Sequence, residues 1–199
     1  MSKRIMVGNV PVGGGAPVSI QSMCSTKTHD VEATVEQILR LEEAGCEIIR
    51  VAVPDMAAAK AVGPIRSRIH IPLVTDIHFD YKLALECAAQ GADKIRINPG
   101  NIGGEDRVKA VADTCRAGNI PIRIGVNGGS LEPELRKKYG GVTAEALVES
   151  AMGHVALLNK FDFDDICISV KCSSVPLTMA AYRLLSERCD YPLHLGVTE

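Results

Sequence analysis

Four cations, Arg50, Arg96, Arg123 and Lys171, each stand inside a short run of β-branched residues, where a strand would turn them away from their apolar neighbours. In Lys94-Ile95-Arg96-Ile97-Asn98-Pro99-Gly100-Asn101, Ile95 and Ile97 point to one side of a strand and Arg96 and Asn98 to the other. An unpaired charge on an inward face costs several kcal/mol, comparable with the stability margin of a whole domain. Arg96 must therefore meet a carboxylate of the protein or an anion that it binds. Pro99-Gly100 ends the strand, which puts Arg96 and Asn98 at its carboxyl end.

The same alternation gathers a set of polar side chains at the ends of the other strands. Gln21 comes from the first strand, Arg50 from the second, and Asp76 with His78 from the third. Arg123 and Asn127 lie four apart on the fifth, Lys171 ends the sixth, and Glu199 is the last residue, where alternation no longer decides direction. Four cations thus face two carboxylates and a neutral histidine. Arginine forks match phosphate oxygens, and lysine adds a compact charge. A diphosphate satisfies such a set better than a single carboxylate does. The competing reading pairs the arginines with Asp76 or Glu199 inside the protein, but the acids run out before the cations.

Asp76-x-His78 also has the spacing of a metal pair. A metal site needs several converging ligands, His194 is the only other histidine expected near a strand, and the neighbouring cations oppose a bare divalent ion. Hydrogen bonding to a bound anion is the better role for both residues. Cys46, Cys87, Cys115, Cys167 and Cys189 fall on helical or strand patterns and read as small core residues. Cys24 and Cys172 follow strands at the end that carries the polar set. Two cysteines do not hold an iron–sulfur cluster, which takes four ligands.

A regular alternation of elements must position these residues. Ile5-Met6-Val7 and Val10-Pro11-Val12 around Gly8-Asn9 predict a hairpin. Strands are expected over Val18–Met23, Glu47–Pro54, Ile71–Phe79, Lys94–Pro99, Ile120–Asn127, Ile166–Cys172 and Pro192–Glu199. Helices are expected over Asp30–Ala44, with Val35, Ile38 and Leu39 on one face, and over Tyr81–Gln90, Asp106–Ala117, Ala144–Lys160 and Val175–Arg188. Gly91 and Gly118 read as C-terminal caps, and the charged stretch in 130–141 as a solvated helix. Strand starts mostly one strand–helix unit apart predict a parallel sheet. With no Gly-x-Gly-x-x-Gly turn after the first strand, the fold class expected is α/β, a (β/α)8-type TIM barrel with an N-terminal hairpin. The 199 residues, against roughly 250 for such barrels, give a single domain over 1–199 that is truncated after its seventh strand.

Composition narrows the function classes. A net charge of -2 and 4% aromatic residues without tryptophan leave no nucleic-acid surface and no stacking platform. Seven scattered cysteines with no C-x-x-C fit free thiols in a reducing compartment, and no segment has the length of a membrane span. A cytoplasmic protein is expected.

Six stretches together closely resemble one family: Val7-Gly8-Asn9-Val10-Pro11-Val12-Gly13-Gly14, Ile20-Gln21-Ser22-Met23, Asp76-Ile77-His78-Phe79-Asp80, Arg96-Ile97-Asn98-Pro99-Gly100-Asn101, Arg123-Ile124-Gly125-Val126-Asn127 and His194-Leu195-Gly196-Val197-Thr198-Glu199. The chain resembles bacterial 4-hydroxy-3-methylbut-2-enyl diphosphate synthase over essentially its whole length. That resemblance implies an oxidoreductase that reductively opens 2-C-methyl-D-erythritol 2,4-cyclodiphosphate in non-mevalonate isoprenoid biosynthesis. It implies that Arg50, Arg96, Arg123 and Lys171 hold the diphosphate, that Asn98, Asn127, Asp76 and His78 orient the rest, and that Glu199 donates a proton. It also implies a [4Fe-4S] cluster, flavodoxin or ferredoxin as electron donor, and a homodimer. The cluster belongs in that family to a C-terminal domain, so this chain is expected to bind substrate without turning it over. The alternatives are a pterin-type barrel enzyme resembling dihydropteroate synthase and a non-catalytic phosphate-binding fragment.

Overall fold

A computed structural model describes residues 2–196. The chain begins with the expected hairpin, β1 (Arg4–Val7) and β2 (Val10–Gly13), with Arg4 opposite Gly13 and Val7 opposite Val10. Gly8 takes φ +55° in its two-residue turn. A Cβ there would lie 2.9 Å from Asp93 Oδ1 and 3.0 Å from Pro72, so the missing side chain lets the hairpin sit close against the sheet.

Six parallel strands follow in strict sequence order: β3 (Gln21–Met23), β4 (Ile48–Ala52), β5 (Leu73–Asp76), β6 (Lys94–Ile97), β7 (Ile122–Asn127) and β8 (Ile166–Lys171). Between and after them run α1 (Val31–Glu43), α2 (Met56–Arg66), α3 (Tyr81–Ala89), α4 (Glu105–Gly118), α5 (Pro133–Tyr139), α6 (Ala144–Asn159) and α7 (Val175–Arg188). The result is an α/β half-barrel, a curled parallel sheet with helices on its outside and the hairpin at its foot. Asp30, Asp55, Asp80, Thr143 and Ser174 cap their helices by accepting a backbone N–H within the first turn. The outer strand face, including Ile49, Val51, Ile95, Ile97, Ile122 and Ile124, is fully buried against the helices. Each such side chain contributes about 1.5–3 kcal/mol. Ile5 and Val7 of the hairpin pack with Ile48, Val74 and Cys167, closing the bottom of the sheet.

Several boundaries differ from the sequence reading. The first strand is only Gln21–Met23, and Val18, 92% exposed, lies outside it. Among the described residues β3 pairs only with β4, and that register begins at Gln21. The seventh strand over Pro192–Glu199 does not form as a strand among the described residues. Leu193 makes one parallel bridge to Ile168, and residues 197–199 lie outside the described part. α2, which carries Pro64 inside it, is an additional helix; proline removes one backbone donor there and masks the pattern. Gly118 continues α4, and Asn119 at φ +52° forms the cap instead. Leu39, expected on the buried face of α1, is 39% exposed. The solvated helix of the charged stretch is α5, which buries no residue. Among the described residues no helix is long and apolar enough to cross a membrane.

Candidate anion site at the strand ends

The parallel register stacks the inward residues in levels. Arg50, Val74 and Lys94 are aligned across β4–β6; Asp76, Arg96, Arg123 and Cys167 are aligned across β5–β8; Asn127 pairs with Lys171 at the top. The apolar outer face forces this arrangement, because each strand alternates its side chains. Three arginines and two lysines from four different strands therefore share one concave face, with Asp76 the carboxylate in these levels among the described residues.

Asp76 is the hub. Its Oδ1 accepts from Arg96 Nη1 at 3.0 Å, and its Oδ2 lies 3.7 Å from Arg50 Nε and 3.5 Å from His78 Nε2. Burial by itself raises the Asp76 carboxyl, but Arg96, Arg50 and His78 outweigh it and hold the group below its usual range. Arg96 also donates to the carbonyl of Gly125 at 3.1 Å. Gly125 makes the room: a Cβ there would lie 2.2 Å from Arg96 Nε. The carboxylate–arginine pairing weighed from the sequence is thus present for Arg96, and more loosely for Arg50. Burial lowers Arg50, with Asp76 opposing and Arg96 adding to the shift, and Met23 Sδ stands 3.1 Å from its Nε.

Asp76 does not satisfy Arg123. That side chain is 1% exposed, and its Nε and Nη1 have no hydrogen-bond partner among the described residues. Burial first, then repulsion from Arg50 and Arg96, pushes its guanidinium down to about 10. Lys171 is half-buried and is lowered to about 8 by burial and by repulsion from Arg123, Arg50 and Arg96. Unlike charges lower each other's cost; here like charges are crowded together, as in a site shaped for an anion.

Asn98 lies just beyond the end of β6, 5% exposed, and its side-chain oxygen accepts from the Gly100 N–H at 3.1 Å. His78 lies beyond β5 with its ring half exposed, and Asn127 ends β7. The structure therefore brings Arg50, Asp76, His78, Arg96, Arg123 and Lys171 to one end of the sheet, with Asn98 and Asn127 at their strand ends. Glu199 lies outside the described residues.

Two groups on this face were not among the site residues read from the sequence, although His194 was expected near a strand. Lys94 shares the face of Arg96, two residues earlier, so the same alternation identifies it. His194 has no strand of its own; its backbone N–H donates to Ile168 O at 2.8 Å, which carries the ring in beside the cations. Burial, then Arg123, Lys94, Lys171 and Arg50, push its imidazole down to about 2, so it is neutral. A cleft of about 830 Å³ opens beside the free edge of β3, lined by Gln21, Lys94, Cys167, Lys171 and His194 among others. Cys167, read as a core thiol, is fully buried but faces this interior. Cys24 and Cys172 are buried as well.

Among the described residues no group of three or more His, Cys, Asp or Glu side chains is placed to hold a metal. The cysteines are scattered over different elements, and burial raises Cys24, Cys87 and Cys115 to between about 11 and 12, which keeps them as thiols. These residues do not fit a four-ligand iron–sulfur cluster.

Solved structures share this architecture at low identity. A dihydropteroate synthase of Yersinia pestis superposes with a TM-score of 0.66 at 13% identity, over 97% of this chain and 75% of that one. A 3-dehydroquinate dehydratase of Geobacillus kaustophilus gives 0.67 at 14%, over 97% and 79%. These likenesses speak for the fold alone. Much nearer in sequence are proteins named 4-hydroxy-3-methylbut-2-en-1-yl diphosphate synthase (flavodoxin). That of Ruminiclostridium cellulolyticum is 60% identical over 198 residues, and that of Pseudomonas paraeruginosa 62% over 198. All of this chain is covered, against 56% and 53% of those proteins, so the chain spans about half the length of the curated relatives it matches. The family model of the GcpE TIM-barrel domain matches residues 2–199, and the chain belongs to that family.

Proposed function

We propose that this chain forms the substrate-binding barrel of a 4-hydroxy-3-methylbut-2-enyl diphosphate synthase and binds 2-C-methyl-D-erythritol 2,4-cyclodiphosphate at the strand ends. The observation that carries the reading is Arg123, a buried guanidinium with two donors unpartnered among the described residues, beside Arg50, Arg96 and Lys171. A cyclic diphosphate offers the oxygen-rich, doubly charged partner that Arg123 lacks among the described residues, while Arg96 and Arg50 share the one carboxylate of Asp76. The names of relatives 60% and 62% identical support the same substrate class.

In this reading Arg50, Arg96, Arg123 and Lys171 hold the two phosphates. Asp76 keeps Arg96 and Arg50 in place, and His78, Asn98 and Asn127 hydrogen-bond the carbon skeleton and its hydroxyls. Glu199 is the proton donor near the reacting carbon. The reaction is a reductive ring opening, with flavodoxin, which the relatives' names carry, or ferredoxin as donor. The [4Fe-4S] cluster of the family is held by residues other than those of this site, in a homodimer in the cytoplasm, and the chain alone binds substrate without turnover. The pterin-enzyme alternative rests on fold likeness at 13% identity and gains nothing from the site.

The test is calorimetric titration of the protein with the cyclodiphosphate. Arg96→Ala and Arg123→Ala should each weaken binding by about 1.5–3 kcal/mol, the range for hydrogen bonds to charged groups. Parental affinity in both variants would refute the assignment.

A further inference from the structure

We propose that Lys94 is a fifth anion-binding cation, forming the inner wall of the cleft and meeting the buried end of the bound diphosphate. The inference rests on the anion-site reading above and extends it to a residue outside the four-cation set. Lys94 is 1% exposed, yet it lines the same cleft as Lys171 and His194. Its ammonium makes no hydrogen bond or ion pair to the described residues. The groups that act on it by charge are Cys167 of β8, Arg123 of β7 and Arg50 of β4. His194, beyond β8, also faces it and is held neutral. None of these is a carboxylate. Asp76 is engaged by Arg96 and Arg50, and Asp190, a carboxylate that also lines the cleft, lies 3.9 Å from Lys3 Nζ and is not among the charges acting on Lys94.

A lysine buried among cations either loses its proton or keeps it with an anion against it. Burial first, then Arg123 and Arg50, lower Lys94 to about 8, and Lys171 is lowered to the same value. An anion touching either lysine restores its proton affinity. The sign follows: below about pH 7 both are already protonated and binding takes up almost nothing, whereas at pH 9 each takes up nearly one proton. Arg123, at about 10, is already mostly charged there. Each phosphorus of the cyclodiphosphate carries one ester link, one anhydride link and a single strongly acidic hydroxyl, so the ligand itself releases no proton in this range.

The experiment is calorimetry with the cyclodiphosphate at pH 7 and pH 9, each in two buffers of different ionisation enthalpy, on the parent, Lys94→Met and Lys171→Met. The parent should take up clearly more than one proton at pH 9, approaching about two, and almost none at pH 7. Either variant should take up about one. Lys94→Met should weaken binding about 10- to 150-fold, the equivalent of one charge-assisted contact. A parental count of one or less at pH 9 overturns the proposal without needing any variant to fold. So does a folded Lys94→Met that keeps parental affinity, the result expected if a carboxylate of the protein sits against Lys94. In both cases Arg123→Ala still weakens binding, and the anion site stands. A parent that does not bind the cyclodiphosphate at all removes both readings.

Discussion

At the scale of single residues the site depends on one carboxylate among an excess of cations. Asp76 is 4% exposed and is the acceptor for Arg96. Breaking a buried pair by removing one partner is costly because the other charge is left uncompensated. Asp76→Asn should therefore destabilise the protein by about 3–5 kcal/mol near neutral pH, read from urea midpoints. The pH dependence has a definite sign. The folded carboxyl is held below its usual value, so its contribution is complete above an unfolded value of about 3.9 and is lost as pH falls through the folded one. The gap between parent and variant should close in that acid window. A gap that stayed constant to low pH would mean that the lost term is packing and not charge.

At the scale of elements the hairpin closes the foot of the sheet. Ile5 and Val7 are almost fully buried against Ile48, Val74 and Cys167, and Val74 is level with Arg50 and Lys94. Without this plug, water would reach the buried cations from below and weaken their hold on an anion. Ile5→Ala should cost about 2–5 kcal/mol in chemical denaturation, the range for large-to-small changes in a packed core. An effect below about 0.5 kcal/mol, the range of ordinary surface changes, would show that the hairpin is not part of the folded core.

At the scale of the molecule the sheet has two free edges among the described residues. β3 pairs only with β4, and β8 pairs with β7 and with the single bridge at Leu193. Val18, Ile20 and Leu195 are exposed nearby, at 92%, 62% and 67%. Unpaired edges flanked by apolar side chains invite pairing with another chain. The 199-residue chain on its own should self-associate in a concentration-dependent way by light scattering. A monomer with a sharp cooperative melt at every concentration would contradict that expectation.

The sequence by itself determined the elements whose signals are local. Alternation set which strand residues face the helices, so Arg50, Asp76, Arg96, Arg123 and Lys171 were legible from the sequence as one inward set. The hairpin, the parallel order and most helix limits followed from turn residues and period. What it did not determine depends on neighbours distant in the chain. β3 is shorter than its apolar run because its outer side has no partner strand among the described residues. Asn119 takes the cap because Gly118 stays helical, a choice no single glycine announces. Only the tertiary structure decided which cation is paired: Arg96 reaches Asp76 because Gly125, 29 residues away, lacks a Cβ, whereas Arg123 finds no such acceptor among the described residues. His194 joins the site through a backbone bond to Ile168 and not through any pattern of its own. Periodicity is a property of one strand, whereas charge compensation is a property of the space enclosed by six.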